Sequence, residues 1–188
     1  MVIGSLVFLN NSVLAQSIDP QGWDKAKWGM TEKEISEIFK GEVKERPKKG
    51  DHDSNLYIPK LKLGVHAKYD VSFLMDKNTK RLKQINMIAR ICEPGTDKEM
   101  ATVSLSDFDA RDLVVKAVVQ ELEEMLILKY GNPTYSGEKE GVRIQGQSTN
   151  ISRKKIWKCQ TTEIELSSLS PGVYVILIYR QKKDQERL

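Results

Sequence analysis

The chain has little of the side-chain chemistry that most often carries catalysis or metal binding. Among 188 residues there are only two histidines and two cysteines. The serines between residues 167 and 170 stand outside any G-x-S-x-G nucleophile elbow. The glycines between residues 137 and 146 form no phosphate-binding fingerprint. The sequence therefore predicts no catalytic residue, no cofactor and no metal site.

One compact set of potential metal ligands is present, Asp51-His52-Asp53. It is not accompanied by a second cluster with the spacing of a metal site. We interpret it as a solvated loop. The alternative hypothesis is a hydrolase or metal-dependent enzyme that uses this loop together with acids from elsewhere in the chain.

Long apolar runs are absent after the N-terminus. Residues 1–15 (MVIGSLVFLNNSVLA) are uncharged and end in Val13-x-Ala15, which is typical of a signal peptide and its cleavage site, although no basic residue precedes the apolar run. The alternatives are a disordered apolar N-terminus or an uncleaved anchor, but spanning a bilayer takes about 20 apolar residues. We therefore predict a periplasmic or secreted protein with no transmembrane segment in the mature chain.

Cysteine is scarce, and the two residues are Cys92 and Cys159. In an oxidising compartment such a pair usually forms one disulfide. The alternative is two buried free thiols that act as small hydrophobic residues. The sequence leaves both open.

Charge of one sign does not dominate the chain. The net charge is +4 with 30% charged residues, and acidic residues lie among the basic clusters, so nucleic acid is not a predicted partner. Aromatic residues make up only 7% of the chain, yet Trp23 and Trp28 lie close together before the first predicted helix. They form either a contact surface, since aromatic residues dominate binding hot spots, or a lid on the core.

Periodicity predicts the main elements. Thr31-x-x-Glu34 is a capping box that opens a short helix. Residues 65–75 alternate apolar and polar, and a return strand with Ile85 and Ile91 on its inner face completes a hairpin. A long helix over Phe108–Tyr130 follows, ended by Gly131. Its predicted apolar stripe comprises Val115, Val118, Val119, Leu122, Met125 and Leu126.

Three further strands are predicted near residues 153–160, 163–167 and 173–179. The last is apolar on both faces, which predicts a central strand covered on both sides. Residues 44–55 read as a charged loop, and residues 136–149 as a weakly structured segment. The predicted fold is α+β: an antiparallel sheet of five to six strands packed against one short and one long helix, consistent with a degenerate tandem helix-hairpin repeat.

The predicted organisation places a lead-in segment at 16–30, one α+β domain at 31–180 and a frayed tail at 181–188. The two halves of the domain would be 31–92 and 106–180.

Several motifs together resemble a known group of proteins. In chain order they are Trp28-Gly29-Met30-Thr31 opening a helix, the Tyr69-x-Val71-x-Phe73 strand, Lys129-Tyr130-Gly131-x-Pro133 closing a helix, Trp157 leading a strand, and Ile176-Leu177-Ile178-Tyr179 ending the sheet. Over most of residues 23–180 this series resembles small secreted bacterial proteins of unknown function. Their helix-then-hairpin units are similar to those of the β-lactamase-inhibitor-protein and BamE-type superfamily. The first mature residue would be Gln16 rather than the lipid-bearing cysteine of BamE-type lipoproteins.

The resemblance implies a fold and carries no catalytic residue across. With the leader and the missing catalytic motifs, it predicts a non-catalytic interaction module. Such a module would bind a protein, peptide or envelope component through its sheet face or through the loops at residues 42–60 and 134–150.

Overall fold

The computed structural model describes residues 19–46, 56–91, 108–140, 151–170 and 174–183. The predicted signal peptide, Asp51-His52-Asp53 and Cys92 lie outside the described residues. In chain order the elements are β1 (Gly22–Trp23), β2 (Ala26–Lys27), α1 (Glu32–Ile38), β3 (Lys44–Glu45), β4 (Leu56–Lys62), β5 (Ala67–Met75), β6 (Leu82–Ile91), α2 (Phe108–Tyr130), β7 (Tyr135–Glu140), β8 (Ile151–Lys158), β9 (Thr162–Ser170) and β10 (Tyr174–Gln181).

Eight of these strands form one antiparallel sheet in the order β3-β4-β5-β6-β10-β9-β8-β7, and β1 with β2 forms a small separate hairpin. The centre of the sheet is the pair β6 and β10, where Ile88 lies opposite Ile176. Each helix precedes four strands of the sheet in the chain. The fourth strands of the two groups, β6 and β10, therefore pair with each other in the middle of the sheet.

The predicted fold class is wrong. The structure is mostly β, with ten strands, an eight-stranded antiparallel sheet and only two helices over the described residues. It is not an α+β arrangement of five to six strands on a long helix. Each helix is followed by four sheet strands rather than by a hairpin, so the helix-hairpin repeat is wrong with it.

The missing strands lie where the sequence pattern is weakest. β4 contains Pro59 and Lys60 at a register shift against β5, and Lys60 has a left-handed φ of 52°. The Lys60 amide donates to Asp70 Oδ1 at 3.2 Å, which stabilises this bulge. β7 is an edge strand of sequence YSGEKE, and edge strands need no apolar alternation. The sequence therefore predicts no strand over residues 56–62 and only a weakly structured segment where β7 lies.

Helix α1 begins as predicted. The Thr31 amide donates to Glu34 Oε2 at 2.7 Å, and the Glu34 amide donates to Thr31 Oγ1 at 3.3 Å, so the reciprocal capping box is confirmed. These hydrogen bonds also hold the pKa of Glu34 below its usual value. Ile35 is fully buried beneath the helix.

Helix α2 has the predicted bounds, and Gly131 ends it with a φ of 78° while its amide donates to Ile127 O at 2.8 Å. Most of the predicted apolar stripe is buried: Val115, Val118, Leu122 and Leu126. The prediction is wrong for Met125, because 45% of this residue is exposed. The buried stripe of α2 therefore lacks Met125 but otherwise follows the predicted helical spacing.

Two contacts tie α2 to the sheet. Glu121 accepts hydrogen bonds from the Val65 amide at 2.7 Å and the His66 amide at 3.4 Å, in the turn between β4 and β5. At the helix end, Trp157 Nε1 donates to Gly131 O at 2.8 Å. The helix is therefore held over one particular face of the sheet.

The core lies on that one face. Phe73 and Ile85 form a cross-strand pair, and both are fully buried, as predicted. The Phe73 ring packs against Phe39, which follows α1, with ring centroids 5.5 Å apart. All the buried apolar strand residues share this face with the buried residues of α1 and α2. We call it the packed face, and its opposite the open face.

Candidate functional site

The open face follows directly from strand register. Tyr69, Val71 and Phe73 point to the packed face, so Asp70 and Ser72 point to the other side. The pairing of β5 with β6, β6 with β10 and β10 with β9 carries this alternation across the sheet. No described helix adds a buried apolar residue to the open face.

An apolar patch lies at the centre of the open face. Ile88 and Ile176 are directly opposite each other, and Ile178 comes two residues further along β10. Ile88 is 41% exposed, and the other two are half-buried. The prediction that β10 is central is confirmed by its pairing with β6 and β9. The prediction that it is covered on both sides is wrong for the described residues.

Ion pairs border the patch on the β9 side. Arg180 Nη1 lies 2.6 Å from Glu165 Oε2, and Lys154 Nζ lies 3.0 Å from the same oxygen. Burial of Glu165 opposes its ionisation, but the hydrogen bonds from Arg180 and Lys154 outweigh that and hold its pKa below the usual value. Glu165 is therefore an ionised carboxylate clamped between two cations at neutral pH.

A second ion pair borders the patch on the β5 side. Arg90 donates to Asp70 Oδ2 from Nε at 2.9 Å and from Nη2 at 2.6 Å. Burial of Asp70 opposes ionisation, and the hydrogen bonds from Arg90 and the Lys60 amide outweigh it, so the pKa of Asp70 is lowered. Such an arrangement holds the flanking side chains in fixed positions.

Basic side chains outnumber acidic ones on the open face. The described side chains of this face include seven basic residues against three acidic ones: Lys44, Lys62, Lys68, Arg90, Lys154, Lys158 and Arg180 against Asp70, Glu163 and Glu165. An apolar centre, ordered ion pairs around it and an excess of positive charge are the ordinary make-up of a protein-binding surface.

The two tryptophans proposed as a contact surface lie elsewhere. Trp28 Nε1 donates to Thr162 Oγ1 at 2.8 Å, on the packed face. Trp23 stacks on Phe39 with ring centroids 6.3 Å apart, and it lines an apolar cleft of about 310 Å³ beside Leu122 and Met125. Both are half-buried. The structure therefore joins neither tryptophan to the open face.

The Cys159 side chain is buried, and it has no disulfide partner among the described residues. Burial, with the negative charge of Asp19 nearby, raises the pKa of this thiol to about 11. Because Cys92 lies outside the described residues, the structure gives the Cys92–Cys159 disulfide no support, and the pairing stays a prediction.

No observation on the described residues supports the alternative hypothesis of an enzyme. Asp51-His52-Asp53 is outside the described residues, and the described part of the chain contains no group of three or more His, Cys, Asp or Glu side chains arranged to hold a metal ion. Within the same residues, no helix has the length and apolarity needed to cross a membrane.

Comparison with protein-family models, with curated proteins and with solved structures finds no match to this chain. The resemblance to the β-lactamase-inhibitor-protein and BamE-type superfamily therefore stays a prediction. The choice of the open face as the candidate site therefore depends on the geometry of the sheet alone.

The sequence predicted that a sheet face could bind a partner, but it did not identify the residues that form the open face. One signal was available: Ile176 and Ile178 alternate with Val175, Leu177 and Tyr179, so an antiparallel strand must present one of the two sets away from the core.

Proposed function

We propose that this protein is a secreted or periplasmic, non-catalytic interaction module that binds the acidic surface of a partner protein through its open face. The single observation that carries the proposal is the isoleucine patch of Ile88, which is exposed, and Ile176 and Ile178, which are half-buried, between ion pairs on two sides. Apolar patches rimmed by polar groups are typical of interaction sites on otherwise solvated proteins.

The chemistry of the partner follows from the charge of the face. With seven basic residues against three acidic ones, the face attracts a negative surface and repels a positive one. The ion pairs of Asp70 and Glu165 are already ordered before binding, so less side-chain entropy is lost when a partner docks.

The test is capture from an envelope fraction with the wild-type protein and two variants. Ile88→Asp places a charge at the centre of the open face. Leu128→Asp is the matched control, because Leu128 is a large apolar residue on α2 that is 91% exposed and lies away from that face. Circular dichroism and thermal unfolding of both variants confirm that they fold.

We expect an acidic protein that wild type and Leu128→Asp retain and that Ile88→Asp loses, with affinity reduced by roughly thirtyfold or more, the scale of a hot-spot residue. Binding should also weaken as salt is raised. The proposal is wrong if both variants lose the same proteins, or if no protein is enriched. A concentration-dependent dimer that Ile88→Asp abolishes would instead assign the face to a second copy of the chain, and would also count against it.

A further inference from the structure

Helix α2 leaves part of the packed face uncovered near β7 and β8. A cleft of about 430 Å³ opens there between the flank of α2 and strands β7, β8 and β9. We call it the helix-edge cleft. It is lined by Val115, Lys116, Val119, Gln120, Glu123, Ser136, Gly137, Glu138, Arg153, Lys154, Lys155, Leu166 and Ser168.

Two basic residues of β8, Arg153 and Lys155, line this cleft from the packed face. The register places Arg153 opposite Ser168 and Lys155 opposite Leu166. Arg153 Nε donates to Glu138 Oε1 at 2.7 Å, and Lys155 forms an ion pair with Glu123 of α2. Glu138 approaches the guanidinium at Nε, and it is mostly exposed, so a bound carboxylate can replace or join it at small cost.

An independent observation points to a ligand. Ser168 is only 5% exposed, lines the cleft, and its Oγ has no hydrogen-bond partner among the described residues. Buried hydroxyl groups are normally satisfied, since leaving one unpaired is unfavourable. The hydroxyl lies across from Arg153, so both can donate to one acceptor placed between them.

Three of the lining residues are aliphatic. Val115 and Val119 project from α2, and Leu166 lies on β9 two residues before Ser168. A ligand that pairs with Arg153 and Ser168 can extend an aliphatic chain over these three side chains, a contact that a small inorganic anion does not make.

We propose that the helix-edge cleft binds a short aliphatic carboxylate. Arg153 and Ser168 donate hydrogen bonds to the carboxylate, and Val115, Val119 and Leu166 contact the aliphatic chain. Arg153, Ser168 and Leu166 are on the packed side of the sheet, opposite the open face, so this inference does not rest on the proposed function.

The test is a titration of the ¹⁵N-labelled full chain with sodium hexanoate, followed by amide chemical shifts, with 1-hexanol as the uncharged analogue. We expect saturable shifts around Arg153, Ser168 and Val119. Hexanol should bind at least about tenfold more weakly, because it cannot pair with the guanidinium.

Two variants separate a ligand site from a structural role. Arg153→Gln should weaken hexanoate at least about tenfold. Ser168→Ala should weaken it several-fold while leaving the unfolding midpoint unchanged or raised, because it removes an unpaired hydroxyl. Lys158→Gln, on the open face, is the charge-matched control and should bind as wild type does.

The proposal is overturned if hexanoate and hexanol give equal shifts, if hexanoate gives no saturable shift, or if Ser168→Ala binds hexanoate as wild type does. Because Ser168→Ala keeps every charge and every ion pair, it remains informative even if Arg153→Gln fails to fold.

Discussion

The two faces of the sheet are built from alternate residues of the same strands, yet they do different work. On β5, Tyr69, Val71 and Phe73 are fully buried, while Asp70 and Ser72 between them remain partly in contact with solvent. On β10, Leu177 is buried and Ile176 is not. The packed face carries the stability of the fold, and the open face is left to bind.

The two faces also differ in whether their buried polar groups have partners. The open face satisfies its buried carboxylate, Glu165, with two cations. The packed face leaves Tyr69 Oη and Ser168 Oγ without partners among the described residues. For Tyr69, burial and then the charge of Glu121 raise the pKa well above its usual value. The unpaired Tyr69 hydroxyl is tolerated because the apolar burial around it outweighs the cost, whereas the Ser168 hydroxyl lines the helix-edge cleft.

The largest contrast between the faces should appear in Phe73→Ala against Lys68→Ala. Phe73 is fully buried against Phe39, so its truncation should lower the free energy of unfolding by about 3–5 kcal/mol. Lys68 is on the open side of the same strand, and its truncation should cost about 0.5 kcal/mol or less. Urea denaturation measures both. If Lys68→Ala were the more damaging change, the assignment of the two faces would be reversed.

A second contrast uses pH. The pKa of Glu165 is lowered, so its ionised form stabilises the fold at every pH above the unfolded pKa of about 4.3, and that contribution is lost as pH falls through the lower folded pKa. Glu165→Gln should therefore cost about 1–2 kcal/mol near neutrality, and the difference from wild type should shrink only in acid.

Unfolding of wild type and variant by urea, at several pH values from neutral to about 3, gives this difference directly. Glu163→Gln is the matched control: Glu163 is on the same strand and face, but is more exposed and 3.4 Å from Arg180, so its effect should be smaller at every pH. A Glu165→Gln cost that grew as the pH fell would contradict the ion-pair assignment.

Strong local patterns made one part of the fold predictable. Three correct predictions rest on patterns contained within a single segment of the chain. They are the capping box at Thr31, the bounds of α2, and the inward orientation of Phe73 and Ile85. β4 and β7 were missed because Pro59 lies in a bulge and because an edge strand such as β7 carries no apolar alternation. Missing them made the sheet too small and the fold class wrong.

The candidate site was less predictable for a different reason. Alternation shows that Ile176 and Leu177 face opposite ways, but it does not show whether anything covers either side. That depends on where α2 lies, which is decided by the contacts of Glu121 with the Val65 and His66 amides and of Trp157 with Gly131. Both contacts join residues distant in sequence.

The sharpest test of the open face compares two adjacent residues. Met87 and Ile88 are neighbours on β6, but Met87 is fully buried on the packed face and Ile88 is 41% exposed. Met87→Thr should cost about 2–5 kcal/mol, because it empties core volume and buries a hydroxyl. Ile88→Thr should cost about 0.5–1 kcal/mol, since threonine keeps the β-branched shape that suits a strand and only part of the apolar area is lost. Parallel urea titrations would measure the gap between these adjacent positions. Equal costs would mean that Ile88 is covered in the folded protein, and the open face would then be unavailable to a partner.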